Sequence, residues 1–141
     1  MAHRNPPDSA IRQLLISAST IAVVGASSNP ERSSNGVMGR LLQVGYRVIP
    51  VNPNETEVLG QKAYPSLSDV PVPVDIVDVF RRPEYTPAIA DEAASVHAKA
   101  LWLQEGVVND EAAARAEAGG LMVVMDACIG VEHALLQVPR K

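Results

Sequence analysis

The sequence predicts an α/β domain built on a doubly wound, mainly parallel five-stranded sheet with helices on both faces. Three observations carry that prediction. Short apolar, β-branched runs recur along the chain, as in Ile21 to Val24 and Val74 to Phe80, and continuous runs mark strands buried on both faces. Segments with helical apolar spacing lie between them, so strand and helix alternate. The first run ends in Gly25-Ala26-Ser27, where small residues let the chain turn tightly from a strand toward a helix.

Taken in order, the elements begin at Asp8, where Ile11, Leu14 and Leu15 share one helical face and Asp8 or Ser9 serves as N-cap. Strand one spans about 20 to 25. From Ser34 to Val44 a helix aligns Val37, Met38, Leu41 and Leu42, and Gly45 stands where a C-terminal glycine cap belongs. Strand two runs from Arg47 to Val51. Residues 54 to 70 predict short irregular elements, with a turn at Gly60 and one helical turn capped by Ser66. Strand three is Val74 to Phe80. Helices follow near 84 to 97 and 109 to 118, separated by a strand at Ala100 to Gln104. The last strand is about Leu121 to Asp126, and a closing helix begins near Gly130. The Ala-rich stretch Asp110 to Gly119 reads as a cover of the sheet rather than an assembly surface.

The bounds agree with one small domain at 8–141 behind a flexible lead-in at 1–7. At 141 residues with 47% hydrophobic and 20% charged composition, the chain buries a substantial core and is typical of a globular protein. Its apolar runs are too short to span a bilayer, so no membrane role is expected. A net charge of −4 with twelve scattered Lys and Arg residues supplies no basic patch for nucleic acid. Cys128 is the only cysteine, which rules out an internal disulfide and suits a reducing, cytoplasmic compartment. No Cys and His cluster has the spacing of a metal site.

In a doubly wound sheet, ligands bind beyond the carboxyl ends of the strands, near the point where strand order reverses. Here those ends carry Gly25-Ala26-Ser27, Asn52-Pro53, Phe80-Arg81-Arg82-Pro83, Gln104-Glu105-Gly106 and Asp126-Ala127-Cys128. A nicotinamide dinucleotide is the first guess for such a fold, yet its fingerprint wants further glycines where Ser27 and Pro30 stand. It also wants an acid after strand two, where this chain has Asn52. NAD is therefore the weaker reading. Arg32, Arg81 and Arg82 suggest a ligand with an additional phosphate, since guanidinium groups suit phosphate oxygens and helix N-terminal amides suit a pyrophosphate. Any one of these arginines alone reads as a solvated surface residue, and their joint location at the strand ends weighs against that reading.

Several motifs in order resemble the small single-domain CoA-binding proteins. They are Val24-Gly25-Ala26-Ser27 with Asn29-Pro30-Glu31-Arg32, Gly45 to Pro53, Asp78-Val79-Phe80-Arg81-Arg82-Pro83, Leu101 to Val107, and Asp126-Ala127-Cys128 with Glu132-His133. The resemblance spans about residues 10 to 137. It implies a Rossmann-like domain similar to the first domain of the succinyl-CoA synthetase α subunit, with coenzyme A as ligand. By that resemblance Gly25, Ala26 and Ser27 hold the pyrophosphate with Arg32 near a phosphate, and Asn52 and Pro53 line the nucleotide side. Val79, Phe80, Arg81 and Arg82 flank adenine and ribose, while Gln104, Glu105 and Gly106 border the pantetheine arm. The synthetase also uses a phosphohistidine domain and a partner subunit. A complete ligase of that type is not expected here, and His133 is not read as its histidine.

Cys128, at a strand end and near a helix start, is open to two readings. It is a small buried hydrophobe, or a thiol that meets the CoA thiol in a mixed disulfide. Helical geometry puts His133 about 140° around the axis from it, so contact between them is not guaranteed. His3 and His97 read as tail and surface residues. Glu105 and Glu132 are the carboxylates to weigh for acid–base work, and no partner is evident for either. Three functions follow: a non-catalytic CoA or acyl-CoA binding module, a Cys128-dependent enzyme acting on CoA thioesters or CoA disulfides, and an NAD(P)-binding protein. A protein partner or homodimer stays open, because no helix carries a distinctive apolar strip.

Overall fold

The computed structural model describes residues 2–141. The chain runs through α1 (Asp8–Ser17), β1 (Thr20–Val24), α2 (Ser33–Gln43), β2 (Arg47–Val51), β3 (Glu57–Val58), β4 (Gln61–Lys62), β5 (Ile76–Val79), α3 (Thr86–Ser95), β6 (Ala100–Leu103), α4 (Asp110–Ala118), β7 (Met122–Val124) and α5 (Ile129–Leu135). Five strands form one parallel sheet in the order β2-β1-β5-β6-β7. The chain thus leaves β1 toward β2 and later returns to the other side of β1. That reversal, between β1 and β5, is the topological switch point.

Alternation along the strands divides the interior into two cores. Ile21, Val23, Ile76 and Trp102 face α1, α2 and α5, where Leu15, Met38, Leu41 and Ile129 are buried. Ala22, Val24, Val77, Leu101 and Leu103 face the other way, onto Ala90, Ala93, Ala112, Ala113 and Ala116 of α3 and α4. The alanines of Asp110 to Gly119 therefore cover the sheet. Their small side chains bring α3 and α4 close, to the point that a Cβ on Gly119 would stand 2.7 Å from that of Ala94.

Most element ends fall within two residues of expectation, and the departures have local causes. α1 starts at Asp8 with Pro7 in the N-cap position and no side-chain cap, so neither Asp8 nor Ser9 caps it. Asp8 is already helical and lies in the first turn, where its carboxylate complements the helix dipole. At the end of α2, Gly45 adopts φ +102°, and Tyr46 N–H donates to the Leu41 carbonyl at 3.1 Å, as a Schellman cap requires. The region expected to be irregular holds the β3–β4 hairpin, turned by Leu59 and Gly60 at φ 49° and 77°. Ser66 precedes the 3-10 turn Leu67–Asp69, but its hydroxyl bonds the Asp69 carboxylate rather than a backbone amide.

Residues near the N-terminus carry hydrogen bonds to distant elements. Asn5 exchanges two 2.8 Å bonds with the Met125 backbone, and His3 N–H donates to Asp110. At the amino ends of the strands, the Asp75 carboxylate accepts from Ser19 N–H and Thr20 N–H at 2.8 and 3.0 Å and pairs with Lys99 at 3.1 Å. Burial raises its pKa, yet the backbone bonds and Lys99 outweigh that and hold it below the usual carboxylate range.

Candidate functional site

The turn after β1 is where the two halves of the sheet part, and the structure fixes it from several sides. Gly25 has φ +90°, and a Cβ there would lie 2.5 Å from the Phe80 carbonyl oxygen. Only glycine allows the β1 turn to pass so close to the β5 turn. Gly25 N–H donates to the Val51 carbonyl at 2.9 Å, Asn52 Nδ2 to the Ala26 carbonyl at 2.8 Å, and Asn35 Nδ2 to the Ser27 carbonyl at 2.9 Å. Beyond it, the Glu55 carboxylate accepts from Ser28 N–H and hydroxyl at 2.6 and 2.9 Å.

At this point the strand ends enclose a cleft of about 850 Å³, within the range of small-molecule sites. Of the residues singled out from sequence, Gly25, Ser27, Arg32, Asn52, Phe80, Arg81, Arg82, Gln104, Glu105, Gly106 and Cys128 lie on its wall. Three do not reach it. Ala26 is buried in the α1–α2–α5 core, Val79 alternates into the opposite core, and Pro53 is exposed away from the cleft. Ser33, Ser34 and Val37, which the sequence does not single out as site residues, also line it, as do Pro83 and Val107 from the strand-end turn and the motif already named. Ser33 and Ser34 had a readable signal in their position at the start of α2.

Electrostatically, the cleft suits an anion. α2 begins at Ser33 with no side chain capping its amides and no acid in its first turn, so its dipole and unpaired N–H groups face the wall. Arg32 and Arg82 are exposed and Arg81 is half-buried, its guanidinium 4.6 Å above the Tyr85 ring centroid. Stacking of this kind orients a guanidinium without neutralising it. Among the described residues, Glu105 is the one acidic side chain in the lining.

The far wall is held from below. Trp102, fully buried, donates its indole N–H to the Ala127 carbonyl at 2.8 Å, and Asp126 Oδ1 accepts from Gly106 N–H at 2.7 Å. These bonds set the Gln104–Gly106 turn beside Cys128. Cys128 is half-buried at the N-cap of α5, whereas His133, one turn on, is buried against Tyr46 with ring centroids 5.8 Å apart. The two do not form a pair. Burial, with the charges of Arg40 and Lys141, lowers the His133 pKa. Under the wall, Gln104 Nε2 bonds Asp78 Oδ1, and burial pushes the Asp78 carboxyl up to about 8 against that bond.

Among the described residues, no group of three His, Cys, Asp or Glu side chains is placed to hold a metal, and no helix is long and apolar enough to cross a membrane.

Comparison with known proteins agrees in fold and family. Residues 19–134 match the family model described as CoA binding domain. The protein YneT of Bacillus subtilis, itself uncharacterized, is 43% identical over 132 residues, 94% of this chain and 98% of the relative. A solved structure of a hypothetical protein from Pyrococcus horikoshii superposes with a TM-score of 0.92 at 41% identity, covering 97% of this chain and 99% of the other. An ADP-forming acetate–CoA ligase II of Archaeoglobus fulgidus is 29% identical over 100 residues, 70% of this chain, and those residues span 15% of the ligase. The dinucleotide forming acetyl-coenzyme A synthetase 1 of Ca. Korarchaeum cryptofilum matches with a TM-score of 0.73 at 30% identity over 81% of this chain and 27% of that one.

Proposed function

The chain belongs to the CoA binding domain family, and from that premise we propose that it binds coenzyme A or an acyl-CoA in this cleft as a stand-alone, non-catalytic module. The observation that carries the reading is the joint placement of Arg32, Arg81, Arg82 and the uncapped start of α2 in the lining of one cleft at the switch point. The Gly25–Ser27 turn and α2 amides take the pyrophosphate, and the arginines take the ribose phosphate. Phe80 flanks the adenine, and Gln104 to Gly106 border the pantetheine arm. Ala26, Val79 and Pro53 act by shaping the turns rather than by touching the ligand. A single cysteine suits a cytoplasmic setting.

One feature favours binding without turnover: catalysis by a thiol needs a base within hydrogen-bond reach, and His133 is committed to the core against Tyr46. The test is calorimetric titration of the reduced protein with CoA, dephospho-CoA and NADPH in parallel. Tight CoA binding that weakens at least tenfold for dephospho-CoA, and again for Arg81→Ala, is the expected result. A preference for NADPH, or no CoA binding, overturns the reading. Cys128 on the far wall of the same cleft supports a second reading, an enzyme acting on CoA thioesters or CoA disulfides, and turnover abolished by Cys128→Ser is the result that would establish it.

A further inference from the structure

Asp78 sits at the centre of the sheet with no exposure, flanked in register by Val23 and Trp102. Its Oδ1 accepts from Gln104 Nε2 in the structure as it stands, and its Oδ2 has no partner among the described residues. Gln104, 4% exposed, nevertheless lines the cleft. One atom of its carboxamide is thus committed to Asp78 and the other is left to the ligand space. The two ends of a carboxamide have nearly the same shape, so what decides which end points inward is the proton on Asp78.

We propose that Asp78 is a positioning residue that, as a neutral acid, donates its proton to Gln104 Oε1 and so turns Gln104 Nε2–H toward the cleft as a donor for a ligand carbonyl oxygen. The ligand class is an amide or thioester carbonyl, and this part rests on the CoA reading, whose pantetheine arm and acyl group supply both. An ionised Asp78 reverses the arrangement. It accepts from Nε2, and the cleft then receives the Oε1 acceptor, which repels a carbonyl.

The surroundings favour the neutral form. A buried carboxylate needs several donors or a cation, and Asp78 has Gln104 alone. Burial dominates its ionisation, opposed by the Gln104 bond. β1 and β6 present the apolar Val23 and Trp102 beside it. The titratable side chains on the surrounding elements are Asp8 and Arg12 at α1, Arg32 and Arg40 at α2, Cys128, Glu132 and His133 at α5, Tyr46 before β2, and Arg81, Arg82 and Glu105 at the strand ends. His133, the buried one from α5, has its pKa lowered by burial first and then by the charges of Arg40 and Lys141. A neutral acid must give its proton to an acceptor or leave it orphaned, and turning the Gln104 carboxamide end for end from its Nε2-to-Oδ1 contact puts Oε1 in that place as the acceptor.

The deciding experiment follows the ligand-free protein by NMR from pH 5 to 9, reading the Asp78 carboxyl carbon and the Gln104 side-chain amide. The expected result is an Asp78 carboxyl still protonated at pH 6, with the Gln104 amide signals moving in step as it ionises. Titration of Asp78 below pH 5, or a Gln104 amide that ignores it, overturns the proposal. In parallel, CoA affinity is measured over the same range for the parent protein and Asp78→Asn, so that titration of CoA itself cancels. The parent should lose at least fivefold relative to the variant as Asp78 ionises, and parallel profiles overturn the role in ligand selection. Absence of CoA binding at every pH removes the CoA reading and the carbonyl ligand with it, while the NMR arm still decides the Asp78–Gln104 pair.

Discussion

At Gly25 a single hydrogen decides whether the two turns can meet. Gly25→Ala forces a φ of +90° on a residue with a Cβ and drives that Cβ into the Phe80 carbonyl, which should cost roughly 2 kcal/mol or more. Urea denaturation measures the loss, and CoA titration of the remaining folded protein should show weakened binding. Two buried titratable side chains on the same face act in opposite directions on stability. The folded Asp78 pKa of about 8 exceeds its ordinary 3.8, so its contribution is complete below pH 3.8 and declines as pH rises toward 8. The His133 pKa lies below its ordinary 6.5, so its contribution is complete above pH 6.5 and declines as pH falls beneath it. From pH 6.5 to 8 the Asp78 slope therefore acts alone, at about 1.4 kcal/mol per pH unit or roughly 2 kcal/mol over the interval. Denaturation at the two pH values should show that fall in the parent protein and little of it in Asp78→Asn.

Elements repeat the lesson at larger size, because each wall of the cleft is fixed by one or two side-chain-to-backbone bonds. Asn109 caps α4, accepting from Ala112 N–H at 2.8 Å, and its amide donates to the Pro83 carbonyl at 3.0 Å. Asn109→Ala should cost about 1 kcal/mol in thermal unfolding. Asn52 instead ties β2 to the Gly25–Ser27 turn, and Asn52→Ala should lower CoA affinity by roughly tenfold, a loss of about 1.4 kcal/mol at the site. The strands and long helices were legible because burial on both faces writes continuous apolar runs and one-sided burial writes a helical period. The β3–β4 hairpin was not, since two-residue strands have no period to read. Cleft residues followed the same division. Gly25 and the arginines announce themselves by type and place, whereas Asp78 reads from sequence as one more strand position, and its meeting with Gln104 depends on the register of β5 against β6.

The molecule as a whole carries a net charge of −4 and yet gathers Arg32, Arg81 and Arg82 around one cleft. Such a local reversal of sign draws in an anionic ligand, and dissolved salt screens it over about 10 Å at 0.1 M ionic strength. CoA affinity should therefore weaken steadily between about 50 and 500 mM salt, and Arg81→Ala should flatten that dependence in the same calorimetric series.

The cleft draws its wall from the ends of strands that stand far apart in the chain, with Gly25 near one end of the sequence and Cys128 near the other. Every pairing in the sheet is parallel, so each must wait for a crossover to close, and such contacts form late and slowly. During refolding, then, the capacity to hold a ligand arrives with the last strand: a chain that has completed β1, α2 and β2 owns the turn and the arginine beside it, but has nothing facing them.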